Sequence, residues 1–318
     1  MIFKRILIPL DGSELAEQVV PHLQRFFAPN QVEIILMAAS SPALAMLGDF
    51  SQPSSDPALP ATSDPVRARI QALTQQLTEQ GFKATAHFLV GSPSECILRL
   101  AEEEHVDLIA MSTHGRTGIG RALLGSVSDQ VVRNARPPVF LVPAAAVAKP
   151  EKSPEDLLVP LDGSQFAETA LPIAQSFAQM TATAIQLLRV IEPATTHERE
   201  LMYGNADSLS AVFQTRAKIA TNYLEQIRLR LQLAGIPSSH HVVFGKPAAA
   251  IAQIASSEEI DLIVMSTHGR SGVERLVYGS IASQVIHDAT CPLLLMHGQE
   301  TIPVQEPAGN VAPATSVS

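Results

Sequence analysis

Met111-Ser112-Thr113-His114-Gly115-Arg116 and Met265-Ser266-Thr267-His268-Gly269-Arg270 are one six-residue string written twice in this chain, 154 positions apart. Each closes an apolar run opened by the same triplet, Asp107-Leu108-Ile109 or Asp261-Leu262-Ile263. Nine residues separate Gly115 from Gly125-Ser126 in one place and Gly269 from Gly279-Ser280 in the other, and Gln130-Val131 then recurs as Gln284-Val285. Upstream, Pro9-Leu10-Asp11-Gly12-Ser13 returns as Pro160-Leu161-Asp162-Gly163-Ser164 at an offset of 151, so the second copy carries three extra residues in between. Identities of this length in the same order are not chance, and the chain reads as two diverged copies of one unit in tandem. Shared turn geometry alone is one explanation of what the copies keep, because turns need particular backbone angles. A shared ligand site is the other, and it is favoured because a turn does not need a His-Gly-Arg.

Working outward from the repeat, each copy alternates short apolar runs with amphipathic segments. In the first copy Ile6–Leu10, Val32–Met37, Phe82–Val90, Asp107–Met111 and Val139–Val142 read as strands. Ser13 is placed to cap a helix bearing Ala16, Val19, Val20 and Leu23, and Pro65 and Pro93 start two more. Residues 39–65 are rich in Pro, Ser and Asp and read as an irregular insertion or lid. In the second copy Leu157–Leu161, Ile185–Val190, Ser239–Phe244, Asp261–Met265 and Leu293–Met296 are the matching strands, and residues 192–208 replace the insertion. Near-continuous apolar strands between helices imply a parallel sheet covered on both faces. The expected fold class is α/β, two tandem doubly wound domains, each a five-stranded parallel sheet flanked by helices. Expected divisions are 1–146 for the first domain, 147–155 for a linker, 156–298 for the second domain and 299–318 for a disordered tail. Ligands in such sheets sit beyond the carboxyl ends of the strands, where the strand order reverses. Asp11 and Ser112 both fall at such ends.

Composition narrows the function classes. The chain has 318 residues, 46% hydrophobic and 17% charged, enough to bury a core in each copy. Its net charge of −9 disfavours a polyanionic partner or an anionic membrane surface, so neither nucleic acid nor membrane is expected. No apolar run reaches the roughly 18–20 residues a membrane helix needs, and the N-terminus reads as a strand, so a cytoplasmic location is expected. Cys96 and Cys291 form no CxxC or Cys/His cluster and read as buried small hydrophobes.

The loop chemistry is that of phosphate binding. Glycines let the backbone approach a phosphate and turn N–H groups inward, and a helix opening at Gly125-Ser126 or Gly279-Ser280 presents free N–H groups and its positive dipole end. Two loops with equal spacing after equal strands are a far more specific signal than one. This is no Walker A loop, since Arg121-Ala122 follows Gly120 where Lys-Ser/Thr would stand. No GxGxxG follows the first strand either.

These residues resemble the universal stress protein family, whose pattern is Gly-x2-Gly-x9-Gly-Ser/Thr after the fourth strand with an Asp closing the first. The resemblance covers both copies and implies a nucleotide-binding α-hydrolase-like fold. It also implies ATP, or a related adenine nucleotide, as the cofactor, with any Mg²⁺ carried by the nucleotide. Carried over by position, Asp11 and Asp162, beside Pro9 and Pro160, would contact the adenosine. Ala38 and Val190 would line the adenine pocket, and Met111 and Met265 would border the adenosine. Gly115, Gly125, Ser126 and Val127 would hold phosphates in the first copy, with Ser112, His114 and Arg116 in the same loop. Gly269, Gly279, Ser280 and Ile281 would do so in the second, with Ser266, His268 and Arg270. The family's first glycine is Ser112 or Ser266 here; serine keeps the N–H but adds a side chain.

No catalytic residue and no dedicated metal cage stand out. A nucleotide-binding stress or signalling protein leads. A slow ATP hydrolase and an interaction module with degenerate sites are the alternatives. The last strands, Val139–Val142 and Leu293–Met296, are apolar and would lie at sheet edges that invite pairing; the family resemblance implies that they pair the copies as an internal pseudo-dimer, with a homodimer and a further protein partner as additional expectations.

Overall fold

The computed structural model describes residues 3–40, 65–113, 124–148, 152–193, 206–267 and 279–296. The first half runs β1 (Arg5–Pro9), α1 (Glu14–Glu17), α2 (Val19–Phe26), β2 (Glu33–Ser40), α3 (Pro65–Glu79), β3 (Lys83–Val90), α4 (Pro93–Glu103), β4 (Leu108–Ser112), α5 (Ser126–Asn134) and β5 (Val139–Val142). The second half repeats it as β6 (Asp156–Pro160), α6 (Gln165–Glu168), α7 (Ala170–Thr181), β7 (Ala184–Ile191), α8 (Ala206–Leu233), β8 (Ser238–Phe244), α9 (Pro247–Ser257), β9 (Leu262–Ser266), α10 (Ser280–Asp288) and β10 (Leu293–Met296).

Local sequence accounts for the element boundaries. The hydroxyl of Ser13 accepts from the Ala16 N–H and that of Ser164 from the Ala167 N–H, capping α1 and α6. Pro93 and Pro247 occupy the first turns of α4 and α9, where a missing N–H costs nothing. Every residue of β4, β5, β9 and β10 is buried, as expected of strands covered on both faces. β2 runs through Ser40, so the Pro-rich insertion expected from residue 39 starts later; residues 41–64 lie outside the described residues, as do 149–151 of the linker, 194–205 and the tail.

Among the described residues the ten strands make one continuous sheet, ordered β3-β2-β1-β4-β5-β10-β9-β6-β7-β8. Pairing is parallel within each half. At the centre it is antiparallel, with Val139, Phe140 and Leu141 opposite Leu295, Leu294 and Leu293. The copies therefore join through their last strands, as their apolar character predicts. Apolar cores cover both faces and each runs through both halves. On one face α2 meets α7 across the pseudo-twofold axis. There Phe177 packs edge-on against Phe3, Phe26 and Phe27, with ring centroids 5.9, 5.2 and 5.7 Å away. Burying a ring of that size contributes about 1.5–3 kcal/mol.

A polar knot completes the junction. Arg25 donates from Nη2 to Asp261 Oδ1 and from Nε to the Lys152 carbonyl at 2.9 Å. Asp261 Oδ2 accepts the N–H groups of Glu155 and Asp156 at 2.7 and 3.3 Å. Its counterpart Asp107 accepts those of Lys4 and Arg5 at 2.8 and 2.9 Å, so both aspartates tie down the start of a first strand.

Candidate functional site

Each half reverses strand order between its first and fourth strands, β1 and β4 or β6 and β9. The crevice beyond their carboxyl ends is where the repeated motifs converge. Asp11 leaves β1 with its Oδ1 accepting the Ser13 N–H and hydroxyl at 2.9 and 2.6 Å. Asp162 repeats this with Ser164 at 2.9 and 2.5 Å. The turn needs glycine, because Gly12 and Gly163 hold φ of +80° and +78°. The carboxylates are thereby fixed at the rims of the two crevices, next to Pro9 and Pro160.

The fourth strands supply the opposite wall. Met111 and Met265 end up buried, followed by buried Ser112 and Ser266 and then Thr113 and Thr267. The Thr113 carbonyl accepts the Gly125 N–H at 2.8 Å, and Thr267 accepts that of Gly279 at 2.9 Å. Each long loop is thus pinched shut at its base, delivering the chain to the N-terminus of α5 or α10. In the first half the buried Ser128 hydroxyl adds a bond to the Ser112 carbonyl at 3.0 Å.

Gly125 and Gly279 are the N-caps of α5 and α10, with φ/ψ of −57°/148° and −57°/144°. Any residue adopts those angles. Among the described residues a Cβ built on Gly279 would meet only the Thr267 carbonyl, at an ordinary 3.5 Å. The backbone thus does not demand glycine at either cap. Ser126 with Val127, and Ser280 with Ile281, open the two helices, whose first N–H groups have no partner within the helix.

The outer part of each crevice differs between the copies. β2 and β7 align through the Leu10 N–H bonding Met37 and the Leu161 N–H bonding Leu188, both at 2.8 Å. Ala38 therefore corresponds to Arg189, one residue before Val190. The sequence reading of Ala38 and Val190 as equivalent is out by one, and in a strand that puts them on opposite faces. Ala38 belongs to the core under α2 and α3, whereas Val190 packs toward α9. Arg189 Nη1 donates to the Leu161 carbonyl at 3.2 Å, beside Asp162. From the helices, Arg69 grips Glu17 with Nε and Nη2, and the Tyr223 hydroxyl donates to Glu168 at 2.9 Å. Burial, with the Glu168 carboxylate added, pushes the Tyr223 phenol well above its usual range. Sequence reasoning passed over Arg69, Arg189 and Tyr223 because they belong to no repeated string.

Pro9, Asp11, Met111, Ser112, Gly125, Ser126 and Val127 thus fall at the carboxyl ends of β1 and β4 and the start of α5, and Pro160, Asp162, Met265, Ser266, Gly279, Ser280 and Ile281 at those of β6 and β9 and the start of α10. His114, Gly115, Arg116, His268, Gly269 and Arg270 lie outside the described residues, as do Arg121 and Arg275. Among the described residues no group of three or more His, Cys, Asp or Glu side chains is placed to hold a metal, and no helix is long and apolar enough to cross a membrane.

The sequence profile of the universal stress protein family matches residues 2–143 and again 155–297. A universal stress protein of Methanocaldococcus jannaschii is 28% identical over 155 residues, spanning 45% of this chain and 96% of that protein. One from Mycobacterium bovis is 27% identical over 217 residues, spanning 66% of this chain and 68% of its own. The crystal structure of a universal stress protein from Archaeoglobus fulgidus has the same fold, with a TM-score of 0.64 at 18% identity over 94% of this chain and 99% of that one. With the motif, its duplication and the sheet order in agreement, the chain belongs to the universal stress protein family, as a member with two copies of the family's unit in tandem.

Proposed function

We propose that the chain binds ATP, or a related adenine nucleotide with its Mg²⁺, in these crevices and couples occupancy to a protein partner. The observation that carries the reading is the pair of glycine N-caps. The backbone angles ask for no glycine at 125 or 279, yet both copies place one at a helix N-terminus facing the crevice. A side chain there would keep a bulky anion from the N–H groups of Ser126 and Val127, or Ser280 and Ile281, and glycine lets it approach. Asp11 and Asp162, fixed on the far rim, are placed for the sugar of the adenosine, and Met111 and Met265 for its base. Gly115 and Gly269, with His114, Arg116, His268 and Arg270, complete the phosphate loops in this reading. The division into domains 1–146 and 156–298, a linker at 147–155 and a tail at 299–318 belongs to the same proposal, as does a homodimer.

The test begins with protein purified without added nucleotide, denatured, its released small molecules identified by mass spectrometry and counted per chain. An adenine nucleotide supports the reading. Nothing released, together with no thermal shift on adding ATP and Mg²⁺, sinks it.

A further inference from the structure

Helix α8 has an outer face that its counterpart in the first copy lacks. The two helices bury the same side. Leu224 and Leu231 of α8 stand where Ile70 and Leu77 stand in α3, each pair reckoned from the glycine, Gly235 or Gly81, that follows its helix, and all four are fully buried. On the opposite side the copies part. Ile219, Leu229 and Leu233 of α8 are 63%, 47% and 90% exposed. The positions matching Leu229 and Leu233 in α3 are Gln75 and Glu79. The fold therefore packs this helix without apolar side chains on its outer face, and only the second copy has them there.

Their spacing is that of a seam for another helix. Ile219, Asn222, Gln226, Leu229 and Leu233 follow at intervals of three, four, three and four, and all five are exposed. That interval keeps one stripe of a helix against a partner helix over successive turns. Single exposed leucines need no explanation, whereas three large apolar side chains on one stripe of one helix do.

The stripe also matches itself. Laid parallel and in register, two copies of α8 set Ile219 and each leucine on its like. Asn222 and Gln226 then meet their own kind, and a side-chain amide both donates and accepts. A wholly apolar partner would leave those amides unpaired. Beside the seam, Glu225 of each helix faces Arg230 of the other, five residues on, which is the charge pairing that sets partner and orientation in such helices. An antiparallel pair would instead bring Glu225 against Glu225 and Arg216 against Arg230. Glu225 is already steadied by Arg228 of its own helix, which donates from Nε and Nη2 to its carboxylate.

We propose that the outer face of α8 from Ile219 to Leu233 is a docking surface for a second copy of this chain, the two helices forming a short parallel two-stranded coiled coil. It gives the homodimer a surface and stands independently of nucleotide binding. The test is sedimentation equilibrium of the full chain without nucleotide, over a micromolar concentration series. The 34.0 kDa chain should associate reversibly to a dimer. Leu229→Glu with Leu233→Glu should keep the wild-type melt and raise the dimer Kd about tenfold or more. Ala72→Glu, at the place in α3 that matches Gln226, should leave the dimer unchanged. Asn222→Cys should give a reducible cross-linked dimer on mild oxidation, because the parallel register sets the two positions side by side. A chain that stays monomeric throughout, or a dimer that survives Leu229→Glu with Leu233→Glu, overturns the proposal. Cross-linking that needs Gln226→Cys as well as Asn222→Cys overturns the parallel arrangement. If the double glutamate variant does not fold, the Asn222→Cys result decides.

Discussion

Arg25 Nη2 and Asp261 Oδ1 lie 2.5 Å apart across the junction of the two halves, and each side chain is only 4% exposed. Two charges so deeply placed stabilise only while both are present. Removing one leaves the other without its partner in a poor solvent for ions. Arg25→Ala is therefore expected to cost about 3–5 kcal/mol in urea unfolding, far more than a surface pair. Replacing both by Met and Leu should recover much of that loss, and a double-mutant cycle measures the coupling directly.

His22, one turn earlier on α2, is buried with neither ring nitrogen hydrogen-bonded to a side chain. Burial first, then the nearby Arg25 charge, lower its pKa from 6.5 to about 4. Unfolding thus lets it take up a proton between those values, so its contribution is whole above about pH 6.5 and falls as the pH drops toward 4. About 2 kcal/mol should be lost by pH 5. Urea midpoints at pH 7 and pH 5 check this, and a smaller drop in His22→Gln than in the wild type is the expected signature. Equal drops would show that His22 does not carry the effect.

Among the described residues Phe177 is the one ring from the second half that touches three rings of the first. Phe177→Ala should cost about 3–5 kcal/mol and leave a cavity at the junction. Differential scanning calorimetry then separates two outcomes. A single lowered transition means the halves still melt together, whereas two transitions mean that the junction has been uncoupled.

Gly163 holds φ +78° in a turn that positions Asp162, and Gly279 holds an ordinary φ at its helix cap. Gly163→Ala should therefore destabilise the chain by about 1–2 kcal/mol, while Gly279→Ala should cost only the N-cap preference for glycine over alanine, about 0.5–1 kcal/mol. Parallel melts of the two variants test the claim that one glycine serves the backbone and the other does not.

Both cysteines are buried, and desolvation pushes both thiols up, Cys291 to about 12. A thiol reagent should label neither in the native protein on a timescale of minutes at pH 7.5, and both after unfolding. Rapid native labelling of Cys291 would mean that the region around β10 opens.

The repeat made the fold legible because what it preserves is structural punctuation. Asp107-Leu108-Ile109 and its copy announce strands buried on both faces, and Asp11-Gly12-Ser13 announces a strand end, a positive-φ turn and a cap. The apolar β5 and β10 likewise announced their own pairing. The contacts between copies were not legible. Arg25 and Asp261 are 236 residues apart, and nothing local marks either one for burial. Where the copies agree, the described motif residues fall at matching strand ends and helix starts; where they diverge, the pairing of positions slips. The offset of 151 that relates Asp11 to Asp162 sets Ala38 against Arg189. It also sets Ala39 against Val190, both packed against the core that holds Met111 and Met265, so pairing Ala38 with Val190 slipped by one residue, which in a strand turns the side chain to the other face.

The junction also records what tandem linkage permits. In a twofold dimer of identical chains, every substitution at the interface is made twice, and a charge that suits one side must suit the other. Phe26 and Phe177, still alike at equivalent places, keep that symmetry. Their neighbours do not. The position matching Arg25 is Ser176, whose hydroxyl only bonds the Pro172 carbonyl of its own helix. A single covalent chain lets one half hold the arginine while the other goes without. The same freedom lets one copy hold its glutamate, Glu17, with Arg69 while the other holds Glu168 with the Tyr223 phenol.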